Sequence, residues 1–340
     1  MKIKRGEYMK KFFGILLAVF FVICLSGCGK EDKKTILNKL DRSINNVNGY
    51  KLDAKMELIN NEDVYKYDVS VSYKKKDNYR VSLRNQTNNH EQIILKNTDG
   101  VYVLTPSLNK SFKFQSKWPY NNSQSYLLQS VINDIKNDPN YSMKKKQNNY
   151  VFESSVNFKN NHNLVKQKVT VDKNGVIKKV VVVDKDGNPG IKVIFDDIDL
   201  KARFDKNYFV LEESMKTSKE DKNNQVAKLE EPIYPMYLPE GTYLDTEKTI
   251  NTDEGERKIL TFAGSLPFML IEEPASYENE MTIIPTSGDL DLFMDTIAVI
   301  NDTSINWVSN GIEYYLVSTS MDPDSIMMVA RSISTMPVSK

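Results

Sequence analysis

The residues with the clearest capacity for chemistry lie near the start of the chain, around Cys28. A cysteine thiolate is a strong nucleophile and can take up an acyl or alkyl group. The residues directly before it are Leu25, Ser26 and Gly27. A signal peptidase holds its substrate in an extended form, so the small side chains of Ser26 and Gly27 suit a cut before Cys28. The spacing therefore predicts that Leu25, Ser26 and Gly27 direct cleavage and that Cys28 becomes the first residue of the mature chain.

The segment before Cys28 has the order of a secretory signal peptide. Five basic residues come first, namely Lys2, Lys4, Arg5, Lys10 and Lys11, and an apolar run then extends from Phe12 to Leu25. This run is shorter than the roughly 20 residues that a membrane-spanning helix needs. We therefore predict that residues 1–27 form a lipoprotein signal peptide, which would be shorter if translation begins at Met9.

Leu25 to Cys28 also resembles the bacterial lipobox, in which the cysteine receives a diacylglyceryl group before cleavage. One acyl chain holds a protein to a membrane only marginally, whereas two chains anchor it stably. The resemblance implies a protein attached to the cell membrane by lipid on Cys28, with acyl chains such as palmitate, on the extracytoplasmic side. The alternative is an ordinary signal peptide followed by a chance cysteine.

The composition of the mature chain excludes two classes of protein. From Cys28 onward there are 41 basic and 44 acidic residues, so no positive charge excess is available for nucleic acid. The chain contains two cysteines, and Cys24 lies in the removed segment, so no disulfide can form within one mature chain. The fold must therefore depend on its hydrophobic core, although export would permit disulfides.

Hydrophobic periodicity predicts an α+β fold. Helical spacing over about 34–46, with Gly49 as a C-cap, is followed by strand-like alternation from Leu52 to Leu104. A second helix is expected near 126–135, with Ser123 or Ser125 as its N-cap. Alternation resumes over 150–195, with turns at Asn174-Gly175 and Asp186 to Gly190. This pattern predicts a curled antiparallel sheet covered by helices.

A composition change predicts two domains in the 313 residues from Cys28 to the end. Glu212 to Glu231 contains few apolar residues among many charges. We assign 28–215 to a first domain, 216–231 to a linker and 232–340 to a smaller C-terminal α+β domain. Its last helix should begin with Asp322 as N-cap and Pro323 at the first helical position.

Catalytic and metal-binding patterns are not evident. His90 and His162 lie in asparagine-rich contexts typical of solvated loops, and the motifs CxxC, HExxH, GxGxxG and the P-loop do not occur. The run from Asp184 to Asn188 begins like a calcium loop but has Pro189 where an EF-hand needs glycine, which favours a hairpin turn. We therefore predict no catalytic residue, no metal site and no cofactor, and a protein that is not an enzyme.

Two adjacent carboxylate pairs have the residue types needed for acid–base chemistry. They are Asp196-Asp197 and Glu272-Glu273. Neighbours on a strand point to opposite faces, which favours a turn or sheet-edge feature in each case.

An aromatic cluster is the remaining candidate for a binding site. It comprises Phe112, Phe114, Trp118 and Tyr126. These side chains would suit a concave apolar pocket with Trp118 at its lip, because Trp118 precedes Pro119 and should be extended. The alternative is that they fill the core between sheet and helices.

Three stretches resemble the YdcC-type sporulation lipoproteins of spore-forming Firmicutes, which are related to the lipoprotein carrier LolA and the germination lipoprotein GerS. They are Val101 to Pro119, Tyr237 to Gly241 and Phe262 to Pro274. The resemblance implies a LolA-like half-barrel with helices across its mouth.

The same resemblance implies two functions. The first is that of an envelope lipoprotein that acts in sporulation or germination by non-catalytic binding of a partner protein, such as a spore-cortex amidase of the CwlD type, or of an apolar ligand. The alternative is a lipid or lipoprotein carrier that holds an acyl chain in the half-barrel.

The lipid-attachment prediction can be tested by changing the thiol. Cys28→Ala removes the only nucleophile at the predicted site, so the variant should incorporate no labelled fatty acid and should keep its signal peptide. Metabolic acyl labelling and the migration of the protein on gels measure both effects. Cys24→Ala is the matched control and should be labelled as the wild type is. Normal labelling of Cys28→Ala would contradict the prediction.

Overall fold

The computed structural model describes residues 32–60, 62–216, 229–252 and 255–333. The predicted signal peptide, Cys28 and most of the predicted linker at 216–231 lie outside the described residues, so what the sequence implies for them stays a prediction. No helix in these described ranges is long and apolar enough to cross a membrane.

The first helix, α1 (Lys33–Asn45), forms where helical spacing predicts it. Its buried residues are Ile36, Leu37, Leu40 and Ile44, which recur every three to four positions on one face. The C-cap is Asn46, and Gly49 is instead the first residue of β1. A Cβ at Gly49 would lie 2.9 Å from the carbonyl oxygen of Tyr73, so the glycine permits close packing of β1 against its neighbour.

Two antiparallel meanders form the first sheet. The strands of the first meander are β1 (Gly49–Asn60), β2 (Asp63–Lys74), β3 (Asn78–Asn85), β4 (Glu91–Asn97), β5 (Gly100–Thr105) and β6 (Lys110–Phe114). Those of the second are β7 (Ser142–Lys146), β8 (Asn149–Ser155), β9 (Leu164–Asp172), β10 (Ile177–Asp184) and β11 (Pro189–Asp199). The meanders meet where β1 pairs antiparallel with β11, which makes one continuous sheet.

The second helix, α2 (Leu128–Asn137), connects the two meanders and covers the inner face of the sheet together with α1. The hydroxyl of Tyr50 on β1 donates to Oε1 of Gln129 at 2.7 Å. Nε2 of Gln167 on β9 donates to the carbonyl of Val131 at 3.0 Å. Alternation of side chains along β1 also directs one of its faces to the core. Leu52, Ala54 and Met56 are buried, and the residues between them are exposed.

The second part of the chain has its own sheet and core. Seven strands pair in the order β12–β13–β14–β19–β18–β17–β16. Their bounds are β12 (Thr242–Thr252), β13 (Gly255–Gly264), β14 (Phe268–Pro274), β16 (Asp289–Phe293), β17 (Thr296–Asn301), β18 (Ser304–Ser309) and β19 (Ile312–Val317). Two further helices are a short α3 (Leu211–Lys216) and the C-terminal α4 (Pro323–Arg331). As predicted, Asp322 caps α4 by accepting from the Ser325 amide at 2.8 Å.

The predicted fold class is confirmed: a curled antiparallel sheet covered by helices, with a second and smaller α+β part. The two parts are also in close contact. Strand β15 (Thr282–Thr286) comes from the second part and pairs in parallel with β6 at the edge of the first sheet. Oε1 of Gln92 accepts from the amide of Ile297 at 2.6 Å and from the hydroxyl of Thr296 at 3.0 Å. Residues within the predicted 232–340 domain therefore extend the sheet of the first part.

Candidate functional site

The four aromatic residues proposed as a pocket do not share one cavity. Phe114, Trp118 and Tyr126 are buried in the main core, and the half-buried Phe112 packs against it. Trp118 is 0% exposed, with its ring edge-on to Tyr79 at a centroid distance of 5.7 Å. The expected lip position is therefore corrected: Trp118 is a core residue, because its ring packs against Tyr79 of β3 within the main core.

An apolar cavity does exist at the boundary between the two parts, and it is small. Its volume is about 100 Å³. Met56, Leu58, Tyr126 and Ile191 line it from the first part and Leu292 from the second, so Tyr126 is the one member of the predicted set that contributes. Ligand pockets are usually about 300–1,000 Å³. The inner face of the sheet is thus largely filled by side chains.

The polar end of this cavity carries two half-buried ionisable side chains, Asp291 and Arg331. Burial raises the pKa of Asp291 to about 6, opposed by hydrogen bonds from Asn160 Nδ2 at 3.2 Å and the Leu292 amide at 2.9 Å. Burial lowers the pKa of Arg331, and Asp291 opposes that shift. The charges reduce each other's desolvation cost where α4 meets the first part.

A larger, polar cleft of about 340 Å³ runs along α2. Its walls are α2, the loop from Pro119 to Ser123, Tyr79 on β3, and the segment from Ser155 to Asn157. The loop is pinned to that segment, because the Ser123 amide donates to the Asn157 carbonyl and the Asn157 amide donates to Ser123 Oγ, both at 2.8 Å. One backbone–backbone and one backbone–side-chain hydrogen bond therefore hold these two walls of the cleft together.

These bonds also explain why the predicted N-cap of α2 is wrong. The helix begins at Leu128 after Leu127, and no side chain caps it. Ser123 is engaged by Asn157 instead. The hydroxyl of Ser130, inside the helix, accepts from the Gln124 amide at 2.8 Å.

Two side chains in the cleft have unusual environments. Burial raises the pKa of Asp134 to about 7, and a hydrogen bond from Ser123 opposes the shift. Gln129 is 8% exposed, and its Nε2 has no hydrogen-bond partner among the described residues. Sequence reasoning did not identify either residue. The available signal was the run of polar residues on one side of α2: Gln129, Ser130, Asn133, Asp134 and Asn137.

The two histidines differ from each other. His90 is half-buried, and burial lowers its pKa to about 4, so the expected solvated position is corrected. Its backbone carbonyl accepts from the Asn85 amide at 2.9 Å, which draws the loop inward. His162 is exposed as expected, with Nδ1 3.3 Å from Asp324 Oδ2.

The two adjacent carboxylate pairs lie in different environments. Glu272 is fully buried on β14 and accepts from the Ile233 amide at 2.9 Å; burial raises its pKa to about 7. Glu273 points to the other face and pairs with Arg257 at 2.6 Å. The expected sheet-edge position is wrong here, because β14 is an interior strand. Asp196 and Asp197 are both exposed, beside the irregularity where β11 pairs with Asp53 and Ala54.

No group of three or more His, Cys, Asp or Glu residues that could hold a metal ion occurs in the part of the chain that the structure describes. Asp184 Oδ1 accepts from the amides of Asp186 at 2.9 Å and Asn188 at 2.8 Å, which forms the turn between β10 and β11. The calcium-like run therefore makes a hairpin turn, as the sequence indicated.

Comparison with known proteins identifies similar sequences over most of the chain. Residues 9–209 match the family model described as sporulation protein YdcC-like. The sporulation protein YdcC of Bacillus subtilis (strain 168) is 35% identical over 331 residues, which cover 95% of this chain and 97% of that protein.

Solved structures give weaker matches. The Pseudomonas aeruginosa MucA/MucB complex contains a chain that is 12% identical with a TM-score of 0.33, covering 89% of this chain and 98% of that chain. The complex of the CwlD amidase from Clostridioides difficile with the GerS lipoprotein contains one that is 19% identical with a TM-score of 0.23, covering 52% and 98%. Such TM-scores are too low to support functional comparison.

The buried position of Trp118 predicts a large effect on stability. Trp118→Ala should lower the free energy of unfolding by about 3–5 kcal/mol, because it leaves a cavity in the main core. Urea denaturation followed by circular dichroism measures the loss. Tyr243→Ala, at a side chain that is 59% exposed, is the control and should cost less than about 1 kcal/mol. A loss for Trp118→Ala as small as that of the control would contradict its assignment to the core.

The raised pKa of Asp134 predicts a pH-dependent stability. Between about pH 4, where an unfolded aspartate titrates, and about pH 7, the folded state keeps a proton that the unfolded state releases. The free energy of unfolding should therefore fall as pH rises through this window. Asp134→Asn removes the effect, so it should stabilise the protein relative to wild type by roughly 1–3 kcal/mol at pH 8 and by little at pH 4.

Denaturation of the wild type and of Asp134→Asn at pH 4 and pH 8 measures this pH dependence of stability, with Asp186→Asn in an exposed turn as the control. An equal effect of Asp134→Asn at pH 4 and pH 8 would show that the carboxyl group ionises in the fold as freely as in the unfolded chain.

Proposed function

The chain belongs to the YdcC-like family of sporulation proteins, and from that premise we propose that it is a membrane-anchored envelope lipoprotein that acts in sporulation or germination by binding a partner protein. The sporulation role rests on its B. subtilis relative, and the anchor rests on the Leu25 to Cys28 motif. The proposed binding is non-catalytic, and the catalytic motifs CxxC, HExxH, GxGxxG and the P-loop do not occur in the sequence.

The observation that carries this proposal is an uncovered apolar face on the second sheet, which we call the outer face. Helix α4 packs against the opposite face, where Trp307, Tyr314 and Leu316 form the core. The outer face carries apolar side chains on four strands, which are Tyr243, Ile259, Ala263, Met269, Ile271, Tyr315 and Val317.

The strand register places these side chains beside one another. Ile259 is opposite Ile271, which is opposite Tyr315. Met269 is opposite Val317. Met269 and Tyr315 are each 37% exposed, and the Arg257–Glu273 ion pair borders the group. A contiguous apolar patch with a charged rim is typical of a protein-interaction surface.

The cavity volume favours a protein partner over an acyl chain. The apolar cavity of about 100 Å³ is well below the size of a typical ligand pocket. The carrier alternative needs a hollow half-barrel, whereas buried residues of the first sheet, α1 and α2 form one core cluster. A cortex amidase of the CwlD type is the first partner to test, on the resemblance to GerS.

The proposal is tested by capture from sporulating cells. The tagged full chain is crosslinked, and the bound proteins and lipids are identified by mass spectrometry. The double substitution Met269→Thr with Tyr315→Thr keeps strand-forming residues but removes the apolar surface, so it should lower recovery of the partner at least about tenfold. Ile194→Thr, an exposed position on β11, is the matched control and should retain the partner.

Retention of the same protein by the double variant would show that the outer face is not the interface. Recovery of stoichiometric lipid with no protein would instead support the carrier. Binding of the purified chain to a purified CwlD-type amidase tests that partner directly.

A further inference from the structure

The polar cleft along α2 has the size of a small-molecule site. Its volume of about 340 Å³ lies within the range of known ligand pockets, unlike the apolar cavity. It lies on the first sheet and its connecting helix, whereas the outer face belongs to the second sheet.

The lining of the cleft excludes several ligand classes. None of its lining residues is Lys or Arg, so a phosphate or carboxylate ligand would find no cationic partner. Its aliphatic residues are Pro119, Leu127 and Val156, three of fourteen lining residues, which is a poor match for an acyl chain. The majority are amides, hydroxyls and one carboxyl group, which donate and accept hydrogen bonds with neutral polar groups.

One donor in the cleft lacks a partner. Gln129 is more than nine-tenths buried, and its Oε1 accepts from the Tyr50 hydroxyl at 2.7 Å, which fixes the orientation of the amide. Its Nε2 has no hydrogen-bond partner among the described residues. The buried amide is therefore held in the polar wall of the cleft. Asn133 lies one helical turn further along the same wall.

An aromatic ring stands at the mouth of the cleft. Tyr120 is 58% exposed although its hydroxyl donates to Asp77 and the Lys96 ammonium lies 4.6 Å from its ring centroid. These two contacts hold the ring in place while leaving much of its surface open. A fixed, exposed ring offers the apolar C–H face of a sugar a place to pack.

We propose that this cleft binds a neutral saccharide, with Asn133 and Asp134 bonded to its hydroxyl or amide groups and Tyr120 against one face of a sugar ring. Asp134 then acts as donor when protonated and as acceptor when ionised. Because burial places its pKa at about 7, affinity should change between pH 6 and pH 8.

Saturation-transfer NMR and calorimetry test the proposal on the full chain, purified in a detergent that has no sugar headgroup. The probes are chitotetraose, cellotetraose and maltotetraose. At least one should bind, and Asn133→Ala should weaken it about tenfold, the equivalent of one lost hydrogen bond of about 1.4 kcal/mol. Tyr120→Ala should weaken it as well. Asn45→Ala, an exposed helical asparagine on α1, is the matched control and should bind as the wild type does.

Failure of all three saccharides to bind the folded protein would overturn the proposal, as would equal affinity in Asn133→Ala and Asn45→Ala. Thermal unfolding of each variant checks that the comparison is made on folded protein. Because the outer face is elsewhere, retention of the protein partner by Asn133→Ala separates this result from the test of the proposed function.

Discussion

The pairing of β1 with β11 is the constraint on which the rest of the structure depends. Leu52 is opposite Ile198 and Met56 is opposite Val193, so residues about 140 positions apart become neighbours. This contact joins two meanders into one sheet with a single inner face. Helix α2 connects the meanders, so it must cross that face, and α1 packs beside it. The main core and the walls of the polar cleft both follow from this arrangement.

Local patterns in the sequence predict the elements well, because alternation and helical spacing depend on neighbours within a few positions. The first helix, the hairpin turns and the Asp322 cap are of this kind. Features set by distant contacts could not be predicted in this way. The pairing of β15 with β6, the burial of Trp118 and the half-buried His90 depend on residues far away in the chain or on how the loops pack. The raised pKa of Asp134 has the same origin, since a helical aspartate is ordinarily exposed.

The surfaces left for binding follow from how the side chains on the inner face of the first sheet are packed. Its buried side chains form one core cluster with those of α1 and α2, and the apolar cavity that remains is about 100 Å³. A partner protein or ligand would therefore have to contact surfaces that lie outside the core. The second sheet supplies one, because a single helix covers only one of its faces. The polar side of α2 supplies another, since its opposite side is the one committed to the core.

The two edges of the first sheet are protected in different ways. Strand β15 covers β6, and its Pro285 cannot donate a ladder hydrogen bond. The opposite edge, β7, carries Lys144, Lys145 and Lys146, all exposed. Exposed strand edges invite pairing between molecules, and lysine and proline are the residues that discourage it. Copies crowded together would thus resist edge-to-edge polymerisation, which lets a β-rich protein with a twelve-stranded sheet remain dispersed at high local concentration.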